Sequence, residues 1–401
     1  MSKDLHSLKY VILFQFFMMN MSWNVNSQLP NSWLSVPDYP GNGYQYLTAF
    51  RGIGSVYAGT GTTLNAPFAS TDIWEFNFST NQWTAKADYG GNPKRQATNF
   101  TVNGNTYLTG GDYSDMWMYD CTSNIWTQKS DFPGISRVEA VTFAIGDSGY
   151  FGTGWDGTYK NDFWLYNTVT NSWQQKSPFA GTGRRSAVGF AVNNFGYIGL
   201  GYDGTSRKDI WRYNPVQDSW QQMNDFPGDE RYFPATFTIN NSAFIVGGEN
   251  STTIFNDCYV YSAPADAWTQ KVSYPGNAIS AASATANDSF GLVIAGNTGG
   301  GFTRECYKYI PEESIVNKSP NFPVFKEFTF YWNDNNHLKI QFSEKIELLY
   351  LYNYNGKCLY HEKFLGNKNE ILIEVSQTGI YFIEVFYQNK LKKEVIKFTK
   401  E

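Results

Sequence analysis

Histidine is nearly missing from this 401-residue chain. His6, His337 and His361 are the whole supply, and none lies between Ser32 and Pro311. That long middle stretch therefore has no imidazole for a Ser-His-Asp relay or a histidine-ligated zinc. Cysteine is also scarce: Cys121, Cys258, Cys306 and Cys358 show no paired spacing, so neither a disulfide framework nor a metal site is implied. A long apolar run occurs in the first thirty residues, where Lys3 and Lys9 precede Val11-Ile-Leu-Phe-Gln-Phe-Phe-Met-Met19. The run is shorter than the roughly 20 residues a membrane span needs, and small residues follow it, so 1–27 reads as a cleaved export signal ending near Ser27. No cysteine follows Ser27 to carry a lipid. Arginine is absent from Phe325 onward, where eleven lysines occur, whereas Gln28 to Val324 holds nine of each. A formal net charge of −5 argues against nucleic acid as the partner.

What is abundant is aromatic, and it recurs. One template runs through the middle: an apolar strand ending in glycine, a turn, an acidic residue, two aromatics two apart, then a tryptophan seven residues on. Clear copies are Tyr107-Leu-Thr-Gly-Gly111 with Asp115, Trp117, Tyr119 and Trp126, and Tyr197-Ile-Gly-Leu-Gly201 with Asp209, Trp211, Tyr213 and Trp220. Others carry Asp72, Trp74, Phe76 and Trp83, then Asp162, Trp164, Tyr166 and Trp173, then Asp257, Tyr259, Tyr261 and Trp268. A sixth carries Glu305, Tyr307 and Tyr309 with no tryptophan after it, while Trp33 stands unpaired before the first copy. Tryptophans 33, 83, 126, 173, 220 and 268 are 50, 43, 47, 47 and 48 residues apart.

A period of that length with several short strands per unit predicts an all-β propeller. Two residues of separation put Trp117 and Tyr119 on one strand face, giving each blade an aromatic wall to stack on its neighbour. Burying each ring is worth about 4 to 6 kcal/mol before entropy is subtracted. The recurring acid is expected to tie its loop to a backbone N–H. The strand around Trp33 would complete the sixth blade, giving six four-stranded blades over 28–311.

These glycine pairs and spaced aromatics resemble the kelch repeat family. Some kelch propellers resemble galactose oxidase, but the copper-radical site of that enzyme needs two histidines that this stretch lacks, so no cofactor or metal is implied. After a proline-punctuated linker at 312–324, alternating strands follow: Leu338–Phe342, Ile346–Tyr354, an Asn355-Gly356 turn, Ile371–Val375, Gly379–Val385 and a lysine-rich last strand. They suit a small β-sandwich. Their order resembles the C-terminal sorting domain of the type IX (Por) secretion system, so 325–401 is expected to address the protein to that machinery and the mature protein to the cell surface or beyond. A generic immunoglobulin-like stalk is the alternative.

Candidate site residues come from the segments leading into each innermost strand: Lys94-Arg95, Arg137, Arg184-Arg185 and Glu230-Arg231-Tyr232, with Tyr44 and Ser280 at the matching places of the other two copies. The facing turns carry Asp112-Tyr113, Trp155-Asp156, Tyr202-Asp203 and Glu249-Asn250. In propellers both sets share one mouth of the central channel. Three readings stay open. The arginines could cap crevices between blades by bonding carbonyls. Alternatively Arg95, Arg137, Arg184, Arg185 and Arg231, with Trp155, Tyr202 and Tyr232, could hold an acidic glycan or an acidic protein loop, in a protein expected to be a monomer. Thirdly, the ring is similar to the bacterial N-acetylneuraminate epimerase family, a resemblance that would make Glu139 or Glu230 the base and Arg137 or Arg185 the carboxylate anchor.

Overall fold

The computed structural model describes residues 31–52, 54–64, 68–311, 328–332, 337–342, 346–353, 358–363, 370–375, 379–387 and 393–400. The export signal expected at 1–27, the linker at 312–324 and the Asn355-Gly356 turn lie outside them.

Six four-stranded antiparallel sheets form the blades of a propeller, and every described element is a strand. Blade 4 shows why the sequence folds this way. Its strands Val188–Val192, Phe195–Gly199, Ile210–Asn214 and Ser219–Met223 form a meander. Asn193 and Asn194 make the first turn at φ of 52° and 64°, the left-handed pair a tight hairpin needs. Phe190 lies opposite Tyr197 with the rings stacked 5.0 Å apart, and Tyr197 meets Tyr261 of the next blade edge-on at 5.5 Å. The same triad recurs: Phe50 and Tyr57 against Tyr119, Phe100 and Tyr107 against Tyr166, Phe143 and Tyr150 against Tyr213, and Phe237 and Phe244 against Tyr309. Blade-to-blade burial is therefore aromatic, and offset or edge-on rings add about 0.5–1.5 kcal/mol per pair beyond the area they cover. The approach is close enough to demand glycine at Gly196, where a Cβ would sit 2.1 Å from the Phe143 ring.

Outer tryptophans fasten blades 2, 3, 4 and 6 to the blade before, whereas the Trp268 indole of blade 5 has no hydrogen-bond partner. The indoles of Trp126, Trp173 and Trp220 donate to the carbonyls of Ala87, Ser130 and Ser177 at 3.1, 2.9 and 3.2 Å. Trp33 does the same to Val272 at 2.9 Å. Ser32–Val36 pairs antiparallel with Phe302–Ile310, Trp33 opposite Tyr309, so the N-terminal strand is the fourth strand of blade 6 and closes the ring. Asn31 even repeats the local device of Asn124, accepting a tyrosine hydroxyl (Tyr309, 2.9 Å) as Asn124 accepts Tyr119 (2.7 Å).

The C-terminal region is also all β. One sheet joins Phe328–Trp332, His337–Phe342 and Glu370–Glu374; the other joins Cys358–Lys363, Ile346–Asn353, Gly379–Tyr387 and Lys393–Lys400. Ile371 and Ile373 are buried between exposed Glu370, Leu372 and Glu374, the alternation of a half-buried strand. Phe328–Trp332 and Cys358–Lys363 are strands beyond those expected from the sequence.

Candidate binding site at the channel mouth

Six residues, one per blade, ring one mouth of the channel: Tyr46, Gln96, Glu139, Ser186, Phe233 and Ala281. All six lie at φ between 50° and 58°, the left-handed region that non-glycine residues enter at a cost of about 1–2 kcal/mol. The cost is offset by a belt of backbone hydrogen bonds in which five of the six N–H groups reach the belt carbonyl of the preceding blade. Glu139 donates to Gln96, Ser186 to Glu139, Phe233 to Ser186, Ala281 to Phe233 and Tyr46 to Ala281, at 3.0–3.4 Å. Below the belt the channel is walled by small residues such as Ala97, Ala140, Ala187 and Ala282, with a cavity of ≈ 140 Å³ at this mouth and one of ≈ 550 Å³ at the far end.

Two positions ahead of each belt residue the sequence places a cation in four blades, and the structure buries all four. Arg184 is 1 % exposed; its two terminal nitrogens donate to the Asp209 carboxylate at 2.6 and 2.8 Å and one also reaches the Leu200 carbonyl at 2.9 Å. Arg137 with Asp162, Arg231 with Asp257 and Lys94 with Asp115 repeat this arrangement. Arg137, Arg184 and Arg231 thus do not face a ligand, because each crosses its own blade to the template acid. The acid was expected to hold a backbone N–H, as Asp72 of blade 1 does with Asn42; in these four blades it receives the cation and, in blades 2 to 4, the indole N–H of Trp117, Trp164 or Trp211. Burial pushes Asp209 upward, yet the Arg184 hydrogen bonds and charge and the Trp211 bond outweigh it and hold the carboxyl below the usual range.

The residue between cation and belt faces the mouth. Arg95 reaches it, but its guanidinium forms a fork with Asp112 at 2.8 and 3.2 Å. Arg185 is different. Its guanidinium lies between the Trp155 and Tyr202 rings, 5.5 and 5.7 Å from their centroids, and about a third of the side chain is open to solvent. Among the described residues Arg185 is the only arginine of these segments with no hydrogen-bonded carboxylate; Glu139 stands 3.6 Å from its Nε. Aromatic contacts continue from there as an arc: Trp155 to Tyr159, Tyr159 to Tyr202, Tyr202 to Tyr232, Tyr232 to Phe233 and Phe233 to Tyr46, with centroids 4.6–6.1 Å apart. Glu139 is 5 % exposed, accepts the Gln96 amide at 2.9 Å and the Ser186 hydroxyl, and is held above the usual carboxylate range by burial, against the pull of Ser186, Arg185 and Gln96. Glu249 accepts the Ser280 hydroxyl at 2.8 Å.

So the structure gathers Arg185, Trp155, Tyr202, Tyr232 and Glu139, sets Arg95 apart in an ion pair, and leaves Glu230 exposed on the loop ahead of Arg231. Tyr46, Gln96, Tyr159, Ser186 and Phe233 were not foreseen. For all of these but Tyr159 the signal is positional, since Gln96, Ser186 and Phe233 follow a buried cation by two and Tyr46 follows Tyr44 by two. Among the described residues no group of three or more His, Cys, Asp or Glu side chains could hold a metal ion, and Cys121, Cys258 and Cys306 are free thiols.

Comparison with known proteins bears on both parts of the chain. Residues 334–398 match the family model of a secretion system C-terminal sorting domain. No curated protein sequence matches. Among solved structures the chain is similar to one described as "Structure of YjhT", at 16% identity and a TM-score of 0.56, over 67% of this chain and 96% of that one. Identity that low establishes the fold alone. The protein is therefore a six-bladed β-propeller that carries the C-terminal sorting domain of the type IX (Por) secretion system, and that domain directs it to the cell surface or the medium.

Proposed function

We propose that the propeller is an extracellular binding module whose channel mouth holds an acidic glycan. The observation that carries this reading is Arg185, a cation clamped between two rings with its terminal N–H groups free for a ligand. A ligand carboxylate there would form a charge-assisted fork worth about 1.5–3 kcal/mol. The arc from Trp155 to Phe233 supplies apolar ring faces on one side of the mouth, the mix of apolar wall and few polar groups expected of a small-ligand site. An export signal at 1–27 and a linker at 312–324 complete the reading, with the propeller acting as a monomer.

Glu139 favours a second reading, a sugar epimerase or mutarotase, because its carboxyl is buried and shifted toward the range of a general acid–base. Both of its oxygens already accept hydrogen bonds, and Glu230 offers no partner base at the mouth. A glycan array separates the readings when paired with NMR of sialic acid anomer exchange. Binding predicts signals on acidic glycans that Arg185→Ala abolishes without lowering the melting temperature. Exchange that accelerates with the wild type and stops with Glu139→Gln would replace the binding module with the enzyme.

A further inference from the structure

We infer that an acidic ligand at Arg185 is taken up together with a proton at Glu139, so that the mouth binds sugar carboxylates more tightly as the pH falls; the inference rests on Arg185 being the anchor. Oε2 of Glu139 lies 3.6 Å from Arg185 Nε, and that nitrogen has no hydrogen-bond partner. The contact is charge to charge, too long for a hydrogen bond. Arg185 is therefore an electrostatic support for the ionised form of Glu139, and a ligand anion that neutralises Arg185 removes it.

The surroundings accept both protonation states. Gln96 donates to Oε1 and Ser186 to Oε2. When Glu139 is protonated, the Ser186 hydroxyl can rotate so that its oxygen accepts the new O–H. Tyr46 and Tyr232 also face Glu139, and burial keeps both hydroxyls protonated. Glu249 acts on those same two tyrosines and is the next carboxylate at the mouth. Among the described residues, Arg185 is the only cation in an ion pair with Glu139.

The sign follows from linkage. Burial already sets Glu139 above the usual carboxylate value in the free protein, and cancelling the Arg185 charge raises it again in the complex. Between those two values the complex holds more protons, so affinity climbs as pH drops and levels off below the lower one. The ligand must remain ionised, as a sugar carboxylate does down to its own pKa of about 3.5.

Two measurements on the full chain test this. Calorimetric titration with oligogalacturonate, in buffers of different ionisation enthalpy, should show uptake of up to one proton that Glu139→Gln abolishes; the neutral methyl ester should not bind. Binding of the oligomer without proton uptake at any pH between about 4 and 8 would overturn the inference. Independently of any ligand, carboxyl-carbon NMR should show the Glu139 pKa rising in Arg185→Gln, and an unmoved value would also overturn it. A rise together with no acidic glycan bound would instead defeat the glycan reading while the coupling of the two residues stands.

Discussion

Blades 2 to 5 and the pair formed by blades 6 and 1 are held by different polar groups, and where each other blade pairs two rings on its inner strands, blade 6 pairs Thr285 with Leu292. In blades 2 to 5 a buried cation spans each blade to the template acid. In blades 6 and 1 its place is taken by Ile279, 1 % exposed within an apolar cluster, and by Tyr44. Asp72 of blade 1 is bonded instead by the Asn42 N–H at 2.7 Å, the Trp74 indole at 3.1 Å and the Ser70 hydroxyl. The ion pair is therefore one solution and not a requirement of the blade. This agrees with the general finding that a buried pair can be matched by apolar packing, while half a pair cannot be tolerated. Blades 6 and 1 are also where the ring closes, and there the Ser32–Val36 strand supplies what holds the seam. The mouth inherits the asymmetry. Arg185 and the aromatic arc from Trp155 to Phe233 occupy the side of blades 3 to 5, Tyr46 of blade 1 meets the end of that arc, and on the side of blades 1 and 6 Gln45 pairs with Thr62 and Ser280 with Asn297.

The largest expected effect breaks the comparison at two adjacent residues. Arg184→Met strands the Asp209 carboxylate and should cost about 3–5 kcal/mol in chemical denaturation, whereas Arg185→Met should stay within about 0.5 kcal/mol. Equal losses would mean that brace and ligand anchor are not distinct. Next comes the seam: Trp33→Ala should cost about 3 kcal/mol, since it removes a buried ring and the bond to Val272. A melting temperature unchanged by that substitution would show that the ring does not depend on its closing strand.

Acid titration sharpens the same contrast. Asp162 and Asp209 are held below their ordinary values in the folded protein. Their contribution is fully present above the unfolded value of about 3.9 and is lost as pH falls through the depressed folded values. The stability gap between wild type and Arg184→Met should therefore narrow below about pH 4. A gap that stays constant down to acid unfolding would assign the effect of Arg184 to packing on Phe179, 5.0 Å away, and not to charge.

Blade number was legible because the stacking residues are large, few in kind and repeated in register. Trp33 aligns with the outer tryptophans and stands opposite Tyr309 of the copy that lacks one. The site was only partly legible. Arg184 and Arg185 are neighbours of identical type, and which one turns inward depends on the left-handed Ser186 that follows them, a backbone property that side-chain chemistry does not announce. The belt hides for the same reason, since Tyr46, Gln96, Glu139, Ser186, Phe233 and Ala281 share a φ value and a position but no chemistry. Glu139 and Glu230 looked equivalent as acids beside arginines. They differ because one lies two places after a buried cation and the other one place before it.

The smallest expected effect lies at the blades without a brace. Arg304 donates to the Tyr44 hydroxyl at 2.8 Å and lies 4.5 Å over its ring. Tyr44→Phe removes the hydrogen bond, keeps the ring and strands no carboxylate, so it should cost about 0.5–1.5 kcal/mol, the ordinary worth of one partly buried bond. If the loss instead matched that of Arg184→Met, Tyr44 and Arg304 would be a brace in another form, and blades 6 and 1 would differ from the rest in residue type but not in how their polar groups hold the blade.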